Sequence, residues 1–97
     1  MSKKIDTTQL QKNNEKVQEL QNKFIDLANQ LKDDGEDIVL INTAMMLASG
    51  HYATYVTVGN EGYLKPGGVQ KITQVYQHNL AQLQRAREAH LNPQGKS

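Results

Sequence analysis

His51, Tyr52 and Tyr55 are the residues best placed to do chemistry in this chain. An imidazole and two phenols about one helical turn apart could bind or protonate a small ligand in a pocket between helices. A plainer account stands beside it: His51 as a core or interface histidine bonded to a carbonyl or a Tyr hydroxyl, since a buried polar group needs a partner. His78 and His90 read as solvated. His78 has Gln74 and Gln82 at one-turn spacing, and these are poor zinc ligands. Ser49 precedes His51 by two residues, which on a helix points the two apart. No Ser/His/Asp order, paired carboxylate or nucleotide fingerprint stands out. The expectation is a protein that is not an enzyme, with no catalytic residues, no metal and no cofactor.

Three further groupings have ordinary explanations. Lys65-Pro66-Gly67-Gly68 opens a helix, and free N–H groups beside a Lys could hold a phosphate. The P-loop spacing is absent, however, and Pro-Gly is common turn punctuation. Asp33-Asp34-Gly35-Glu36-Asp37 lacks the ligand spacing of a calcium loop and reads as a turn with caps. Lys71, Arg85, Arg87 and Lys96 could touch nucleic acid, but Glu88 interrupts them and Tyr76 is their sole aromatic companion. A solvated helix face explains them, so no nucleic-acid partner is expected.

The elements that must position these residues follow from charge and periodicity. No charged side chain occurs between Asp37 and Glu61, in a chain that is 22% charged and has a mean hydropathy of -0.68. This stretch, Ile38 to Val58, is the one apolar enough to be buried on every side. One stripe along it is Ile38, Ile41, Met45, Ala48, Tyr52 and Val56. A second is Leu40, Ala44, Leu47, His51, Tyr55 and Val58. Two apolar stripes on one helix imply two covered faces. Gly50, with Ala48, Ser49 and Ala53 around it, could let another backbone come close. The length also suits a bilayer span. Against that stand Asn42, Thr43, Ser49, His51, Thr54 and Thr57, and acids rather than Lys or Arg crowd before it. No membrane association is expected.

The flanking helices are amphipathic. Val17, Leu20, Phe24, Leu27 and Leu31 recur at three- and four-residue steps, a seven-residue repeat on one face. Asn13 falls on the same stripe, as a polar position that could set register or oligomer state. Leu10 is isolated among Gln, Lys and Asn, so the residues before Val17 read as solvated or frayed. Val69, Ile72, Tyr76, Leu80 and Leu83 make the apolar face of the last helix. The expected helices span about 8–33, 38–58 and 69–90 within one domain over residues 8–91. A loop over 59–68 should fold Tyr63 and Leu64 back to seal the end of the bundle. Residues 1–7 and 92–97 should be loose ends.

The fold class expected is all-α. Short connections imply an up-down-up three-helix arrangement with a buried central helix. The first helix, about 39 Å against about 31 Å for the second, would overhang unless a second copy packs on it. At 97 residues and 37% hydrophobic content the core is thin, so completion by homo-oligomerisation is expected, most simply a dimer. Val17, Leu20, Phe24, Leu27 and Leu31 are the expected interface. The net charge of +1 supplies no global field for an anionic polymer or membrane. The chain has no cysteine, and Met1-Ser2-Lys3-Lys4 has no apolar run behind it. Together these suit a cytoplasmic protein without a secretory signal.

Phe24-Ile25-Asp26-Leu27-Ala28-Asn29, Asn42-Thr43-Ala44-Met45-Met46-Leu47-Ala48 and His51-Tyr52-Ala53-Thr54-Tyr55-Val56 resemble a family of small, uncharacterised, mainly proteobacterial proteins catalogued as a domain of unknown function. The similarity covers roughly Phe24 to Leu83 and rests on apolar pattern. That family often carries an Arg where His51 stands, and an acidic tail where this one is mildly basic. The resemblance implies an all-helical bacterial protein and supplies no catalytic residues.

Overall fold

A computed structural model of the chain describes residues 7–92. They form three α-helices and no strand: α1 (Thr7–Asp33), α2 (Ile38–Val58) and α3 (Pro66–Leu91). The fold class is all-α. The loose ends expected at 1–7 and 92–97 lie outside the described residues except for Thr7, which opens α1, and Asn92, whose N–H bonds the Glu88 carbonyl at 2.8 Å and caps α3. The chain divides into two compact units, one ending at Leu47 and the other beginning at Ala48.

In the first unit α1 stops where its sequence supplies a stop. Gly35 has φ +103°, a left-handed conformation that costs a glycine little. The Gly35 N–H donates to the Lys32 carbonyl, and the Glu36 N–H donates to the Leu31 carbonyl, each at 3.0 Å. This pair of bonds is the Schellman ending, which satisfies carbonyls the last helical turn leaves open. Two residues on, the Asp37 carboxylate accepts from the Val39 N–H at 2.7 Å and caps α2. The acidic cluster is therefore helix punctuation, as its spacing suggested.

In the second unit Gly62 is held to its type by a close approach. A Cβ placed there would lie 2.7 Å from the Val58 carbonyl oxygen. The loop is shorter than expected, because α3 begins at Pro66 rather than near Val69. Pro is favoured at the first helical position, where its missing N–H has no bond to make and its φ is already helical. The two glycines that follow weakened the sequence signal without breaking the helix. Leu64 turns inward and is half-buried, its Cδ2 facing Gly68, while Tyr63 stays 76% exposed. Only one of the two expected loop anchors folds back.

The buried central helix requires correction. Ile41, 8% exposed, is the one buried residue among those described. Leu40 and Leu47 on α2 are about two-thirds exposed, and Val56 is 83% exposed. The cause lies in the residue pattern. The α2 helix is apolar around its whole circumference, whereas one neighbouring helix covers a stripe of roughly 100°. A single chain of this length has too few helices to enclose such an element.

Gly50 sits inside α2 with nothing within 4 Å of where its Cβ would be. Replacing it by Ala should raise stability by about 1 kcal/mol, the helix-interior difference between the two residues. A urea titration checks this through the midpoint. A lower midpoint for Gly50→Ala would mean that a second backbone lies against this position in solution.

Candidate functional site

The stripe on α1 is a continuous helical feature of the first unit. Its positions step by three and four residues, so they share one face. All five residues are exposed, from 37% at Leu31 to 67% at Phe24. The helix does not fray before Val17. It continues to Thr7, and the Gln9 amide donates to the Asn13 side-chain oxygen at 3.1 Å, one turn on. That segment is helical and exposed, which matches its solvated reading and not its frayed one.

Lys16 and Lys23 are spaced seven residues apart and border the stripe on one side. In a heptad with Val17 and Phe24 at position a, both fall at position g, which flanks a helix-pairing seam. Their seven-residue spacing matches that of the apolar stripe. Lys16 meets Glu19 at 3.6 Å in an exposed i,i+3 pair. Such pairs contribute only a few tenths of a kcal/mol, so it does little to hold α1 helical.

The ring cluster belongs to the second unit. The ring centres of His51 and Tyr55 lie 6.2 Å apart, and those of Tyr52 and Tyr55 lie 5.6 Å apart. The i,i+3 and i,i+4 spacing brings the three expected residues together on α2. Tyr52 is 70% exposed, and the two best-formed depressions are lined elsewhere, by Ala86, Arg87, His90 and Leu91 and by Gln11, Asn14, Glu15 and Gln18. Both depressions are open, and each is lined by one stretch of one helix. His78 faces Gln82, with 3.3 Å between their nitrogens.

No family model, curated protein or solved structure matches the chain.

The polar side chains of α2 are quieter than their names suggest. The hydroxyls of Thr43, Thr54 and Thr57 donate to the carbonyls of Val39, Gly50 and Ala53, one turn back, at 2.8–3.1 Å. The Asn42 amide reaches the Met46 sulfur at 3.8 Å. A hydroxyl already bonded within its own helix can leave water with little further penalty. These threonines therefore do not prevent α2 from being covered. No described helix is long and apolar enough to cross a membrane. Among the described residues, no group of three or more His, Cys, Asp or Glu side chains could hold a metal ion.

Proposed function

We propose that this chain is a self-associating helical protein that acts through protein–protein contacts and carries out no reaction of its own. The observation behind the reading is that among the described residues one, Ile41, is buried, while the large apolar residues of all three helices include many that are exposed. Apolar burial is the main favourable term in folding, and fixing each residue's backbone costs about 1–2 kcal/mol. One buried residue among those described does not offset that cost. A second copy supplies the missing cover without another gene product, and two-fold pairing is the commonest way for identical chains to do so.

In this reading the helices run up-down-up, and α2 becomes the dry centre once copies associate. The interface is the stripe of Val17, Leu20, Phe24, Leu27 and Leu31. The cysteine-free composition suits the cytoplasm, and the balanced charge gives no reason to invoke nucleic acid. The resemblance to the small proteobacterial helical family agrees with a bacterial, non-catalytic helical protein. Sedimentation equilibrium across a micromolar dilution series tests the proposal. Mass at a multiple of 10.9 kDa is expected, and a compact 10.9 kDa particle throughout would overturn it.

A second reading is favoured by the clustering of His51, Tyr52 and Tyr55. Two tyrosines and a histidine offer stacking faces and hydrogen-bonding tips to a small ligand. The exposure of Tyr52 and Tyr55 in the single chain makes this the weaker reading. It would require cover from another copy to enclose the ligand.

A further inference from the structure

The direction in which two copies pair follows from what flanks and interrupts the α1 stripe. We infer that α1 pairs with α1 of a second copy in parallel and in register, with Asn13 facing Asn13 across the two-fold axis. This rests on the self-association proposed above and specifies its geometry.

Closing the stripe on two copies covers five apolar side chains per copy that are 37–67% exposed in the single chain. In the heptad register already described, Val17, Phe24 and Leu31 occupy position a, and Leu20 and Leu27 occupy position d. Asn13 is the polar member of the d series. Parallel, in-register pairing sets each of the five apolar layers against its own copy and matches the amide of Asn13 with an identical amide. It also sets each g position opposite an e position, so Lys16 meets Gln21 and Lys23 meets Ala28, with no like charges opposed.

Antiparallel pairing does worse in either register that keeps four apolar layers among these five residues. One sets Val17 opposite Leu27, which leaves Asn13 against Leu31 and Lys23 beside Lys23. The Gln9 amide serves the Asn13 side-chain oxygen, but the N–H groups of Asn13 would face an apolar side chain, and opposed lysines repel. The other register slides Val17 opposite Asp34 in the turn. The arrangement that satisfies every layer is the parallel one.

The cysteine-free chain allows a direct test, since a single Cys has one possible disulfide partner. Val17 is well exposed in the single chain, so Val17→Cys leaves its fold undisturbed. A disulfide needs the two Cα atoms within about 7 Å, which the parallel seam provides at position 17. Under glutathione redox buffer, Val17→Cys should become largely a cross-linked dimer, at least ten-fold more than an equimolar mixture of Val17→Cys and Leu27→Cys forms as the mixed species. Preferential cross-linking of that mixture would establish an antiparallel seam and overturn the inference. A dimer by light scattering with no cross-link in either sample would also overturn it, while leaving self-association intact. A monomer by light scattering would remove both the inference and the reading beneath it.

Discussion

Phe24→Asp should dissociate the assembly. In the single chain Phe24 is 67% exposed, and a substitution at so open a site ordinarily changes stability by no more than about 0.5 kcal/mol. In a paired α1 the same ring lies at the middle of the seam, where large aromatic anchors contribute most. In the parallel arrangement it faces its own copy, so the variant brings two carboxylates together on an apolar surface. The loss expected is about 3 kcal/mol or more, which raises the dissociation constant at least ~100-fold. Sedimentation should then show 10.9 kDa at concentrations where the parent chain is associated. Phe24→Leu keeps an apolar layer and should stay associated. Parent-like mass for Phe24→Asp would place the seam somewhere other than α1.

Ile41→Ala should have the largest effect of any truncation judged on the single chain. Ile41 is the one described residue that is buried, near the start of α2 and just beyond the capped turn. Removing three carbons from a filled site costs about 2–5 kcal/mol, against a total of about 5–15 kcal/mol for an ordinary domain. A denaturant titration should show the midpoint fall sharply. Val56→Ala at the opposite extreme of exposure provides the comparison, because its effect reports only what association adds. A change below about 0.5 kcal/mol for Ile41→Ala would mean that the first unit packs differently from the arrangement described.

Much of the fold was legible because its signals are local. The charge-free run from Ile38 to Val58 and the Asp-Gly punctuation at Asp34 and Gly35 mark the boundary of two helices, and α2 occupies that run. The Gly35 ending and the Asp37 cap are each decided by one residue's own chemistry. The start of α3 was less legible, because Pro66 can end a loop or begin a helix and the paired glycines argue for the loop. Burial of α2 could not be read from the chain at all. Its composition says that every face avoids water, but not which molecule covers each face.

The candidate sites divide in the same way. Helical spacing alone puts Val17 through Leu31 on one stripe and brings the rings of His51, Tyr52 and Tyr55 together. Whether rings line a pocket depends on what packs beside them, and spacing carries no information about that. The threonines of α2 show the same limit of sequence polarity. Their polarity is plain in the sequence, yet each hydroxyl bonds within the helix and presents little polar demand to its surroundings.

The mass of the chain in solution, followed by sedimentation equilibrium from high to low micromolar concentration, tests the whole picture most directly. It should stand at twice 10.9 kDa and fall only on dilution, with helical signal lost in step as the uncovered chains come apart. A stable, fully helical particle of single-chain mass at every concentration would contradict it, because one copy would then be holding its apolar helices in water unaided.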